Sequence, residues 1–146
     1  VTFSVGGWTS EGDRRMVEAT ERALEAAIRV ARAGNRVGDL SHAVGRVLSG
    51  AGYRVNTDFG GHGVGSTMHQ DPHVPNQGRP GTGPRLQPGM LLAIEPWVMA
   101  DTDQLRVDAD GWTLRSRTGA RAAHSEHTVA ITTGDPLVLT RPSGSD

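Results

Sequence analysis

Met90-Leu91-Leu92-Ala93-Ile94-Glu95-Pro96 places a carboxylate at the end of five consecutive apolar residues and follows it with a proline. Alternation along such a run puts Leu91, Ala93 and Glu95 on one face of a strand and Met90, Leu92 and Ile94 on the other. Pro96 has no N–H to lend to a ladder, so pairing stops there. Residues 124–132 read as a second strand, with Glu126, Thr128 and Ala130 on one face and His127, Val129 and Ile131 on the other. That pattern sets Glu126 on a buried surface. Between the two runs, residues 105–107 and 112–114 flank Asp110-Gly111, a strong turn signal, and predict a hairpin.

Upstream of Gly89 the character changes. Residues 60–89 are heavy in glycine and proline and read as loop with short strands, a length of irregular chain that is often functional. Residues 53–55 predict one more strand. Before them, residues 13–33 set Met16, Ala23, Leu24, Ala27, Ile28 and Ala31 on one helical stripe, and Gly34-Asn35 supplies the stop. A second helix is expected over 38–50, burying Leu40, Ala43, Val44, Val47 and Leu48. With no repeat and no linker, the chain reads as one domain over 1–140 with a flexible tail at 141–146.

Composition narrows the chemistry. The 146 residues suffice for one substantial core. Fifteen basic against 16 acidic side chains leave no large field, so neither nucleic acid nor a membrane is expected as partner. The absence of cysteine excludes disulfide scaffolds, thiolate nucleophiles and cysteine-ligated zinc. Every cation is arginine, which excludes Schiff-base chemistry and a P-loop lysine. No apolar run approaches the roughly 20 residues of a membrane span, and Val1-Thr2-Phe3-Ser4 lacks a signal-peptide profile, so a cytoplasmic protein is expected. What remains is His, Asp, Glu, Ser, Thr and bound metal.

Of six histidines, His42 reads as a partly exposed helix residue. His69 and His73 have the spacing of a helical zinc motif, but Pro72 lies between them and no glutamate follows His69, so that reading fails. Gly61-His62-Gly63-Val64-Gly65 has its third glycine at the wrong offset for a dinucleotide turn. Glu95 and Glu126 carry more information. An unpaired carboxylate in an apolar strand costs several kcal/mol or takes up a proton. Either arginines neutralise the two glutamates, or a metal does, with His62 supplying a nitrogen between glycines that allow close approach.

The order Gly61-His62-Gly63-Val64-Gly65, Met68-His69-Gln70-Asp71-Pro72, Gly89-Met90 leading to Ile94-Glu95-Pro96, Asp110-Gly111-Trp112-Thr113 and Glu126-His127-Thr128 resembles the type I methionine aminopeptidases, of the pita-bread metallopeptidase family. The resemblance runs from Val1 to about Thr140. It implies an α+β pita-bread fold, a curved antiparallel sheet backed by helices, incomplete here on its N-terminal side. It also implies a metal-dependent hydrolase that removes the initiator methionine from nascent proteins and peptides, using two divalent ions (Co, Mn, Fe or Zn) and the water between them. Position by position, it makes His62 and Glu95 ligands of the first metal and Glu126 a bridge, with Glu95 also relaying a proton of the attacking water. His69 would hydrogen-bond the scissile peptide. Met68 and Trp112 would line the methionine pocket. His124 would sit just outside the metal shell and orient a ligand, and His73 and His127 would be structural.

The resemblance also has departures. The family carries two aspartates eleven residues apart before the first helix. The first would fall immediately before Val1, and the second would stand where Glu11 does. One cation, held by His62, Glu95 and Glu126, is therefore expected where the family holds two, with Glu11 a weak substitute ligand and, if the 146 residues are the whole polypeptide, activity weak or lost. The expected partner is a peptide or nascent chain beginning with methionine, presented by the ribosome. Two other readings belong beside this one: an Xaa-Pro-type peptidase of the same fold, and a catalytically inactive pita-bread domain that binds peptides or a ribosomal partner.

Overall fold

A computed structural model describes residues 1–8 and 10–141. Beyond Arg141, the expected tail lies outside the described residues. Two helices come first, α1 (Glu11–Val30) and α2 (Val37–Gly50). Nine strands follow among the described residues: β1 (Gly60–Val64), β2 (Gln70–Pro75), β3 (Leu91–Ile94), β4 (Trp97–Met99), β5 (Leu105–Val107), β6 (Leu114–Ser116), β7 (Ala122–His124), β8 (His127–Ala130) and β9 (Leu137–Val138).

Helix α1 begins two residues earlier than its apolar stripe indicates because Ser10 caps it. The Ser10 hydroxyl accepts the Asp13 N–H at 3.3 Å, and Glu11 and Asp13 place negative charge in the first turn. It ends at Val30, short of the expected residue 33, where the Asn35 amide donates to the Val30 carbonyl at 2.9 Å. At the start of α2, the Asp39 carboxylate accepts the Arg36 N–H at 2.7 Å and the Gly81 N–H at 2.8 Å. These two backbone donors hold the Asp39 carboxyl below its ordinary range and tie the helix to the loop that crosses it.

The main sheet is antiparallel, in the order β2-β1-β3-β8-β9, with two smaller ladders, β4-β7 and β5-β6. Leu92, Ile94, Val129 and Ile131 form its inner face and join one buried cluster with Met16, Leu24 and Ile28 of α1 and Leu40, Val44 and Leu48 of α2. Full burial of each such side chain contributes about 1.5–3 kcal/mol. The opposite face, that of Ala93 and Thr128, carries the polar residues described below. No helix among the described residues is long and apolar enough to cross a membrane.

Three expectations are corrected. Residues 53–55 form no strand: Tyr53 gives its N–H to the Leu48 carbonyl as α2 unwinds, and Val55 packs into the core. The second hairpin strand is Leu114–Ser116 instead of 112–114. Asp110 Oδ1 takes the N–H groups of Trp112 and Thr113 at 2.9 and 2.8 Å, which extends the turn by two residues. The run 124–132 is broken at Ser125-Glu126 into β7 and β8, opposite the break that Pro96 makes between β3 and β4.

Candidate metal centre

The two breaks face each other. The register that pairs Ile94 with His127 is the one that pairs Trp97 with His124, so Glu95 stands across from Glu126 in the gap. Pro96 has no N–H to give there, and its carbonyl instead accepts the Ser125 N–H at 3.1 Å. Buried polar residues hold the gap open. Asn76 donates to the Glu95 carbonyl at 3.1 Å. The Thr20 hydroxyl donates to the Val17 carbonyl at 2.8 Å, so its 2.9 Å partner Ser125 is the donor in that pair, pinning the break to α1.

Two carboxylates directly opposite on one sheet face repel. Arginine does not relieve them: among the described residues the ion-pair partners of Glu95 are His62 and His124, and Glu126 has none within 4.0 Å. Glu95 is 20% exposed, with Oε1 3.5 Å from His62 Nε2 and Oε2 3.4 Å from His124 Nε2. Glu126 is partly exposed and not buried, which corrects the buried surface expected for it, because the run that carries it is interrupted at Ser125-Glu126.

His62 comes from β1, paired with Ala93 beside Glu95. Its neighbours are glycines for a reason the sequence did not reveal. A Cβ at Gly61 would overlap the Ala93 carbonyl oxygen, and one at Gly63 the Asp71 carbonyl oxygen, so the flanking strands close on a bare backbone. The Gly63 carbonyl, 2.9 Å from His62 Nδ1, can only accept, so Nδ1 carries a proton. In the neutral ring Nε2 then turns its lone pair toward Glu95, the orientation of a metal-ligating imidazole.

Potential donor atoms of Glu95, His124 and Glu126 all lie within 4.8 Å of one another. Donors bound at about 2.1 Å to one tetrahedral ion are separated by about 3.4 Å. Two oxygens and an imidazole nitrogen at this spacing, with a second imidazole on the other side of Glu95, fit a divalent transition-metal ion.

Other candidate residues are placed differently. His69 precedes β2 and packs against His62, with ring centroids 4.2 Å apart and the rings tilted by 47°. Glu11 is engaged in the first turn of α1 by Arg14, whose guanidinium lowers the Glu11 carboxyl below its ordinary range. It is not part of the donor group. Met68 and Trp112 are 74% and 88% exposed on turns. The structure does not bring them to the donor group, because each turn closes on its own backbone. His73 is exposed on β2, His127 bonds Thr140, and His42 is partly exposed in α2.

Beside Glu95 and His124 opens a cleft of about 360 Å³, walled by Phe59, Trp97, Met99, Leu105 and Leu114. Sequence reading missed this wall, although alternation onward from Glu95 puts Trp97 and Met99 on the same side.

Residues 1–133 match Metallopeptidase family M24, and the chain belongs to that family. Its curved antiparallel sheet backed by two helices is the pita-bread fold. The chain is 42% identical over 139 residues to a methionine aminopeptidase of Clostridium acetobutylicum, covering 95% of this chain and 55% of that protein. It is 41% identical to methionine aminopeptidase 1 of Bacillus subtilis, covering 96% and 56% respectively. The crystal structure of methionine aminopeptidase from Thermotoga maritima superposes with a TM-score of 0.89 at 43% identity, over 93% of this chain and 55% of that one. The chain thus spans about half the length of the relatives it matches.

Proposed function

We propose that the chain carries the catalytic centre of a metal-dependent aminopeptidase that releases N-terminal methionine from peptides and nascent proteins in the cytoplasm. The observation that carries this reading is the pair of facing carboxylates, Glu95 and Glu126, flanked by imidazoles and, among the described residues, not paired with arginine. Likeness to methionine aminopeptidases at about 40% identity supports the substrate class. Glu95, Glu126 and His62 hold the divalent ion, Co, Mn, Fe or Zn. When bound, the ion supplies Lewis acidity, polarising a carbonyl and acidifying water. Glu95 accepts the water proton and passes it to the leaving amine. His69, packed beside His62, donates to the scissile carbonyl oxygen as negative charge grows there. The apolar cleft next to Glu95 excludes water from one side of the bound peptide.

Hydrolysis of Met-Ala-Ser by the protein supplied with Co²⁺, abolished by a chelator and absent with Xaa-Pro dipeptides, is the expected result. Release of proline-linked residues instead would replace the methionine assignment. His69→Ala is expected to lower kcat by about 10²-fold with metal affinity unchanged. Equal loss of both would move His69 into the metal shell.

A further inference from the structure

His124 is not confined to orienting a neighbour. Its backbone is held at three points: paired with Trp97 across the β4-β7 ladder, with its N–H given to the Thr2 hydroxyl at 2.9 Å and its carbonyl accepting that hydroxyl at 3.0 Å. From this fixed position the imidazole reaches the Glu95 oxygen that His62 does not face. Each oxygen of Glu95 therefore has its own imidazole, and the compact donor group is the one containing His124, not His62.

We propose that His124 Nε2 is a direct metal donor beside His62, Glu95 and Glu126, adding a second imidazole nitrogen on the Glu95 oxygen that His62 does not face. This rests on the metal-dependent reading above and adds one donor to its ligand set. An added imidazole also sets the preference of the site. Nitrogen donors favour Co²⁺ and Zn²⁺, whereas a site of carboxylates suits Mn²⁺ and Mg²⁺. Glutamine at position 124 could still donate a hydrogen bond to Glu95 but could not supply an imidazole nitrogen, so His124→Gln separates ligation from positioning.

The test is titration of the protein and its His124→Gln variant with Co²⁺ and with Mn²⁺. It is followed by calorimetry, by the visible absorption of bound Co²⁺, and by proton NMR of the exchangeable imidazole N–H signals shifted by the paramagnetic ion. His124→Gln is expected to lose one shifted signal, to weaken Co²⁺ binding at least about tenfold and to weaken Mn²⁺ binding less. Circular dichroism on the variant checks that it is folded, and its half-exposed side chain makes folding the expected outcome. Retention of every shifted signal with unchanged Co²⁺ affinity would overturn the ligand role and leave the peptidase reading standing. If the unaltered protein binds no Co²⁺, or binds it equally well after Glu95→Gln, both proposals fall together.

Discussion

The broken ladder around Glu95 and the β5-β6 hairpin are both short antiparallel pairs carrying acidic residues, but they treat charge in opposite ways. In the hairpin Asp108 is clasped by Arg106 and Arg115, which lower its carboxyl below the ordinary range. Asp110 is held down to about 2 by the Thr113 hydroxyl and the backbone N–H groups of Thr113 and Trp112. Every charge there is answered locally. Across the gap between β3-β4 and β7-β8, two carboxylates face each other and, among the described residues, no guanidinium lies within 4.0 Å of either. A chain with 15 arginines does not lack the means to neutralise them. Where charge pairing is supplied in one ladder and withheld in the other, the fold is arranged for a cation from outside.

The contrast can be broken most severely at the backbone. Gly61→Ala forces a methyl group against the Ala93 carbonyl and is expected to cost about 3 kcal/mol in a denaturant melt, displacing His62 as well. A loss below about 1 kcal/mol would mean that β1 and β3 are not as closely joined as described.

The next largest effect concerns the charges themselves. Glu95→Gln is expected to weaken metal binding by more than the roughly 10- to 100-fold that loss of an outer partner costs. Without metal, Glu126→Gln should raise stability by up to about 1 kcal/mol by removing the cross-strand repulsion. A clear drop in the metal-free melting temperature of Glu126→Gln would count against repulsion in the gap.

Asp39→Ala removes the cap of α2 and should cost about 1 kcal/mol, some 3 °C in Tm, without changing metal affinity. Because the folded state lowers the Asp39 carboxyl, its contribution is present above the ordinary carboxylate pKa and is lost as pH falls through the lowered value. The gap between protein and variant should therefore close in acid, as thermal melts at several pH values would record. The smallest change is expected in the hairpin. Asp108→Asn breaks exposed ion pairs and should leave Co²⁺ affinity unaltered and Tm within about 1 °C.

Much of this was legible in the sequence. Alternation in Met90-Leu91-Leu92-Ala93-Ile94-Glu95 assigned the two faces of β3 correctly, and the apolar stripes placed both helices to within a few residues. The glutamates stood out because carboxylates are expensive in apolar strands. Periodicity could not show that the run from His124 onward is interrupted, because the interruption is imposed by Pro96 on another strand. Trp112 was drawn into a strand because the reach of the Asp110 carboxylate to two backbone N–H groups leaves no periodic trace. Glycines around His62 looked like room for a ligand and proved to be room for neighbouring carbonyls.

Local order along the chain thus determined the helices, the faces of the central strands, and the identity of the acidic residues and the histidine that can carry chemistry, since those depend on residues two to four positions apart. Tertiary structure alone decided that Glu95 confronts Glu126, that His124 reaches the second oxygen of Glu95, and that Phe59, Trp97 and Leu105 wall one cleft. Those relations arise from strand register and from a break shared by two strands about thirty residues apart, and no short-range pattern encodes a pairing over that distance.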